Sequence, residues 1–487
     1  MKLQTMERFA DQPACHRIWK LALASMIMAA ATGLLYRGQL LFGWVEGLSL
    51  TNIRHAHSHL MFFSWVTPVP MLYFSIRRTA AEESVGHGLI FWMYWITMMG
   101  LLSYPFFLLF GYRPAVIGSM ELPLSVMLSG LVMIGWYGYT WSWWRFKKRS
   151  TTDRDGATAL FEGALLMLVL SSFSAWGVAA TSMGRIDLPE LTSGFTHLFL
   201  ALFTNGWAFV AALAMIAAHL QERSRSQADV NDHRPGRWLL LILAGAPLTF
   251  PLGMGAGTLP EVWLLTARLG ALLLASGLLL LLVTFWLSRE QLNGPLQWQM
   301  ALFSAVAILL FCSAGVPGTI WTGSVPLRVF FLHLLLLGGV SLTFLWIRFE
   351  SYGRSGRVLW AVVAVGVAGM LLFLILHTPL AGRWISVGTP VGRELTMLWI
   401  SVWIVTGLVG MYGLEVRLGT PVSECRNQMH RSVEKQKKRY HVGHGVGIGT
   451  DQHGEDNHDD PEWNQLEADQ KNDPEKSQKE SKGHRNE

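Results

Sequence analysis

Arg54-His55-Ala56-His57-Ser58-His59-Leu60-Met61-Phe62-Phe63 sets three histidines at the head of an apolar run long enough to cross a membrane. Ionisable side chains at the mouth of a membrane helix are costly to hold there, so each histidine is a functional candidate. In a regular helix, residues two apart point about 200° apart and residues four apart share a face. His57 then faces away from His55 and His59, and one metal ion cannot take all three.

The rest of the chain agrees with a membrane setting. Its 487 residues are 51% hydrophobic and only 15% charged, with a mean hydropathy of +0.33. That is too apolar for a soluble protein of this size. Its 22 Trp and 25 Phe suit aromatic belts and packed helix interfaces, and the lack of strand punctuation favours helices over a barrel. The net charge of +6 is spread over loops, without the basic module that nucleic-acid binding requires. Cys15, Cys312 and Cys425 stand far apart, which excludes disulfide frameworks, zinc ribbons and covalent c-type heme. The first apolar run lacks a small-residue cleavage site before Arg37 and reads as a retained helix.

Because roughly 20 apolar residues span a bilayer, the sequence predicts about twelve transmembrane helices, over 18–36, 55–76, 88–110, 120–144, 157–181, 195–218, 237–256, 261–287, 297–315, 326–348, 357–376 and 394–415. Pro247, Pro251 and the glycines at 253, 255 and 257 interrupt the seventh. Lys and Arg crowd the loops after even helices, from Arg77 and Arg78 to Arg354 and Arg357, and are sparse after odd ones. This places both termini in the cytoplasm, in a bacterial inner membrane. The expected organisation is a cytoplasmic N-terminus over 1–17, a membrane domain over 18–415 and a disordered cytoplasmic tail over 416–487. The tail is rich in Lys, Glu, Asp, Asn and His and too polar to offset its ordering entropy.

Three histidines recur in one local pattern: Ser58-His59-Leu60, Thr196-His197-Leu198 and Leu332-His333-Leu334, at separations of 138 and 136 residues. A period of four helices is what an internal threefold repeat produces. A small residue also follows each one: Ser64, Gly206 and Gly338-Gly339. Two imidazoles from different helices, on either side of a flat macrocycle, would make a bis-histidine heme, a closed ligation suited to electron transfer. For His219 and His377, at helix ends, the simpler reading is a bond to a backbone carbonyl or to interfacial water.

This organisation resembles subunit I of the heme-copper oxidase superfamily, which has twelve helices in three arcs of four and cytoplasmic termini. The family's low-spin ligand lies in a pattern like Ala-His-x-x-x-Met-x-Phe-x-x-x-x-Pro. Here it reads Ala56-His57-x-x-x-Met61-x-Phe63-x-x-x-x-Pro68. The resemblance implies a low-spin, bis-histidine heme b ligated by His57 and His333. The family's His-x-His on helix 10 is Phe331-Leu332-His333 here, so the high-spin ligand is replaced. His197 stands at the place of one copper ligand, the helix 6 tyrosine is Ala201, and no histidine lies between His233 and His333. A copper ion or second heme therefore lacks its family ligands, unless His55, His59 and His197 build a different metal centre. Arg383, with Arg393 downstream, matches the loop whose arginines neutralise the heme propionates.

The expectation is a heme b membrane protein serving electron transfer, or reduction or sensing of a diatomic gas such as O2 or NO. Cytochrome c or a quinol would donate electrons, and partner subunits would assemble with it. The competing classes are a cofactor-free transporter, which broken helices near Pro247 would suit, and a non-catalytic subunit of a respiratory complex.

Overall fold

The computed structural model describes residues 12–78, 85–147, 155–182, 189–224, 237–254, 260–287, 295–315, 324–378 and 389–418. The chain divides into two units, Met1–Cys425 and Arg426–Glu487, and every described residue belongs to the first. The tail expected over 416–487 lies outside the described residues, apart from the last helical turn.

The fold is all-α. α1 runs over Pro13–Phe42. α2 is built from Leu50–Leu60, Met61–Val66 and Pro68–Arg78. α3 is His87–Phe110, α4 Leu124–Lys147 and α5 Gly156–Ser182. α6 joins Pro189–Leu200, Ala201–Ala208 and Phe209–Ser224. α7 is Arg237–Leu248, α8 Glu261–Leu287 and α9 Pro295–Gly315. α10 joins Val325–His333, Leu334–Ser341 and Leu342–Phe349, and α11 (Gly353–Leu376) and α12 (Pro390–Leu418) complete the set. One antiparallel hairpin, β1 (Ala115–Ile117) with β2 (Met120–Leu122), sets Val116 opposite Glu121. It takes up the start of the span expected from 120, and α4 begins only after Pro123. The seventh span, expected over 237–256, ends as an α-helix at Leu248 and continues as a tight turn over Phe250–Gly253. Pro247 and Pro251 withhold the donors a longer helix would need.

Among the described residues, eight stretches are long and apolar enough to cross a membrane: Pro13–Phe42, Leu50–Arg78, His87–Phe110, Gly156–Thr181, Glu190–Glu222, Glu261–Leu281, Val325–Leu376 and Val391–Arg417. The 52-residue stretch Val325–Leu376 contains both α10 and α11, parted at Gly353, whose φ of 64° ends the helix. The chain is thus an integral membrane protein with up to eight candidate spans, and its lipid-facing residues require a bilayer.

Burial separates inner helices from outer ones. In α2 and α6, 94% and 89% of the apolar window is buried, against 44% or less in α1, α3, α5 and α8. α10 joins the centre, since Leu334 to Phe349 are buried apart from Leu337. α2, α6 and α10 pack on one another, and α12 packs on α1. Lipid is as apolar as a protein core, so hydrophobicity does not choose which face turns inward; small and polar residues do. The inner helices carry Ser64, Thr67, Thr204, Asn205, Ser341 and Thr343 in buried positions.

Each inner helix also contains a π-helical segment: Met61–Val66, Ala201–Ala208 and Leu334–Ser341. Such widened turns free backbone carbonyls and are frequent at functional sites. Side chains take up the freed acceptors. Thr67 Oγ1 donates to Phe62 O and Ser341 Oγ to Leu336 O, each at 2.7 Å and five residues back. At the opposite ends of these helices ion pairs tie the bundle. Arg77 donates to Asp155 at 2.6 Å and to Gln221 at 2.9 Å. Arg348 reaches the fully buried Glu415 at 2.5 Å, and Tyr352 donates to its other oxygen at 2.9 Å.

Candidate functional site

His57 lies in the regular part of α2, one turn ahead of the π-helical segment, and its ring rests on α1. Its Nδ1 is 2.8 Å from the carbonyl oxygen of Ala29. A carbonyl only accepts, so Nδ1 carries the hydrogen and the neutral ring keeps its lone pair on Nε2. One turn along α1, a Cβ at Gly33 would stand 3.7 Å from His57 Cε1, so the ring lies against nearly bare backbone. His333 is the last residue before the widened turn of α10, and its Nδ1 donates to Val329 O at 2.8 Å. Its Nε2 is likewise the lone-pair nitrogen.

The two rings stand 6.4 Å apart between centroids and are nearly parallel, at 15°. Aromatic pairs interact over such separations, so the distance alone does not define a role. Each ring donates through Nδ1 to a backbone carbonyl, which holds its orientation and leaves Nε2 as the lone-pair nitrogen. Two bonds of about 2 Å to one metal, plus the radius of each ring, span about 6 Å.

Farther along, Trp65 Nε1 donates to Ser341 Oγ at 2.9 Å. Both residues are eight positions beyond their histidines, so this bond fixes the register of α2 on α10. Beside the pair, Arg37 at the end of α1 forms an ion pair of 2.5 Å with Glu394 of α12 and acts electrostatically on His333. Arg393, the next residue on α12, has a buried Nε with no hydrogen-bond partner among the described residues.

His55 and His59 belong to another cluster. His59 Nδ1 donates to His55 O at 2.8 Å, its ring stacks on Phe107 with centroids 3.8 Å apart, and its Nε2 is 3.2 Å from the Tyr112 hydroxyl. The His55 ring meets the Tyr112 ring edge-on at 4.7 Å. Tyr112 follows Gly111, whose φ of 60° and missing Cβ let the chain turn against Asn52. Because His59 carries its hydrogen on Nδ1, the Tyr112 hydroxyl is the donor to Nε2.

His197 is in neither group. Arg328 Nη1 donates to its Nε2 at 3.2 Å and also to the carbonyl of Gly253, where no Cβ would fit beside the ring. The structure therefore brings His57 to His333, joins His55 to His59, and leaves His197 with Arg328. Phe331, at the position next but one before His333, is buried edge-on against Phe311 at 5.2 Å. Among the described residues no three His, Cys, Asp or Glu gather into a metal-binding group. Arg383 lies outside the described residues.

His377 Nδ1 donates to Phe373 O at 2.5 Å, the carbonyl bond expected at a helix end, and His219 lies 3.3 Å from Glu350. Sequence reasoning missed Ala29, Arg37, Trp65, Ser341, Tyr112 and Arg328. The equal offset of Trp65 and Ser341 from their histidines was the available signal for the register bond. Nothing in the sequence marked Arg37 or Arg328 as more than loop charges. No family model matches the chain, and no curated protein matches it.

Proposed function

We propose that the membrane unit is a twelve-helix bundle in three pseudo-symmetric groups of four, holding one low-spin heme b between His57 and His333 and serving electron transfer. The observation that carries this reading is the facing pair itself: two imidazoles 6.4 Å apart on neighbouring inner helices, each with Nδ1–H committed to backbone. Three π-helical segments on α2, α6 and α10 support the threefold organisation.

The residues present fit the group. His57 and His333 each offer an Nε2 lone pair, Gly33 keeps α1 clear of a side chain beside His57, and Arg393, whose buried Nε has no hydrogen-bond partner among the described residues, would supply positive charge for carboxylates. A heme with two histidine ligands supplies one-electron chemistry and leaves no axial position open. The protein's own work is then to hold the two rings, through Ala29 O, Val329 O and the Trp65–Ser341 bond, and to keep water from them with the buried aromatic residues of α2 and α6. Cytochrome c or a quinol on the cytoplasmic membrane of a bacterium is the proposed donor class, and both termini are cytoplasmic.

A reduced-minus-oxidised spectrum of the purified protein tests the reading. A b-type α band that His57→Ala abolishes is the expected result; absence of the band would refute it and return the cofactor-free transporter to first place. Carbon monoxide added to the reduced protein should leave the spectrum unchanged. A shifted spectrum would instead place the protein among those that reduce or sense O2 or NO.

A further inference from the structure

We propose that Arg328, with the Ser324 hydroxyl one turn before it, forms a binding site for a phosphate group at the start of α10, filled by the phosphodiester of an anionic lipid. The site does not depend on heme at the His57–His333 pair. Its guanidinium is held through one nitrogen only. Arg328 Nη1 donates to His197 Nε2 at 3.2 Å and to the carbonyl of Gly253, in the turn after α7. Both Nη1 hydrogens are thereby used. The His197 ring reaches this place because Gly253 has no Cβ to meet it. Nε–H and the neighbouring Nη2–H have no acceptor among the described residues, and they point in parallel from the edge away from Nη1. Such a fork matches two oxygens of one phosphate.

Helix geometry brings further donors to the fork. Side chains lean toward the first turn of their helix, so Arg328 leans toward Ser324, four residues earlier on the same face. Ser324 is the N-cap of α10, yet its hydroxyl caps no backbone N–H. Its Oγ is buried and has no hydrogen-bond partner among the described residues. Arg328 N bonds to Ser324 O at 3.1 Å and Pro326 has no N–H, which leaves the amides of Val325 and Leu327 at the helix start. Amides in that position attract anions.

Charge and depth select the ligand. Among the described residues no carboxylate acts electrostatically on Arg328 or His197, and a partly buried guanidinium without a counter-ion is costly. Ser324 and the helix start add donors beyond the two that a carboxylate would engage, and a phosphate has the further oxygens to use them. Arg328 lies in the first turn of the apolar stretch Val325–Leu376, at the depth where lipid phosphates meet a membrane helix. Val325 beside it is 52% exposed and offers an apolar face to an acyl chain.

The test delipidates the full-length protein in dodecyl maltoside, adds dioleoyl phosphatidylglycerol and counts bound lipid by native mass spectrometry. Lipids held loosely around the bundle are common to all variants and cancel in the difference. Wild type should bind one lipid more tightly than Arg328→Gln by about tenfold or more. Arg328→Lys keeps the charge without the fork and should lose most of that advantage. Ser324→Ala leaves the Arg328 contacts in place and should weaken the lipid by about threefold, which covers an Arg328 variant that fails to fold. Calorimetry with inorganic phosphate on the lipid-free protein separates the two sources of the group, and no binding is expected. Phosphate binding that Arg328→Gln abolishes, without any lipid difference, would overturn the lipid as the source. Equal phosphatidylglycerol binding in wild type, Arg328→Lys and Ser324→Ala would overturn the site.

Discussion

At the α2–α10 junction His57 is paired with another imidazole; at the α6–α10 junction His197 is paired with a guanidinium. Up to that point the two places are alike. Each histidine leads a π-helical segment on a buried inner helix, and each has a buried polar bond eight residues on, Trp65 to Ser341 and Asn205 to Thr249. The difference lies in what the neighbouring helix supplies. Val329 O takes the Nδ1 hydrogen of His333 and leaves Nε2 bare, whereas Arg328 spends its Nη1 hydrogens on His197 Nε2 and Gly253 O. An imidazole whose lone pair already accepts from an arginine has none left for a metal. The repeated element thus provides a histidine and a widened turn, and chemistry is decided across the interface.

The sharpest way to break this comparison is to delete the histidines one at a time. His57→Ala and His333→Ala should each reduce heme, measured as pyridine hemochrome per polypeptide, from one to none. His197→Ala should leave it at one. Loss of heme in His197→Ala would mean that the two junctions are not distinct.

Next come the register bonds. Trp65→Phe keeps an aromatic ring but removes the N–H that, among the described residues, reaches Ser341 Oγ in a buried interface between α2 and α10. A cost of about 1–3 kcal/mol is expected from a buried polar group that loses its partner, read as a lowered thermal midpoint in detergent and a broadened heme band. Asn205→Ala should cost less, about 0.5–1.5 kcal/mol. Thr249 Oγ1 still donates to Ala246 O at 2.7 Å when Asn205 is gone, and the heme spectrum should not change.

How much of this was legible beforehand differs between backbone and site. Apolar length alone marked the helices, and Pro247 with Pro251 marked where the seventh stops. The hairpin at 115–122 was not legible, because its residues are apolar enough to extend the fourth span. The period of the three histidines pointed at α2, α6 and α10, and helix geometry separated His57 from His55 and His59. The partners across interfaces were hidden. Ala29 acts on His57 through its backbone carbonyl, which no side-chain pattern announces. Arg328 and Arg37 read as ordinary loop charges until α10 and α1 are packed. The inward faces were also hidden, since in lipid both faces of a helix are apolar.

The smallest expected effect concerns the tie between the two central helices at their other ends. Arg77 of α2 bonds Asp155 at the start of α5 and Gln221 of α6, with Glu222 at 3.5 Å. Burial alone would raise the Asp155 carboxyl, but the Arg77 guanidinium and the Thr158 N–H outweigh it and hold the group below the usual carboxylate range. The folded value is thus depressed relative to the unfolded one of about 3.9. Its contribution to stability is complete above the unfolded value and disappears as pH falls through the folded one. The thermal midpoint should therefore not respond to Asp155 between pH 7 and pH 5, and should fall with acid below about 4. Glu222 also contacts Arg77, so the diagnostic quantity is the difference between wild type and Asp155→Asn. That difference should be constant near neutral pH and shrink toward zero in acid. A difference that grows on acidification would show that Asp155 is not held ionised by Arg77. In that case the Arg77–Asp155 contact would not tie α2 to α5 through charge.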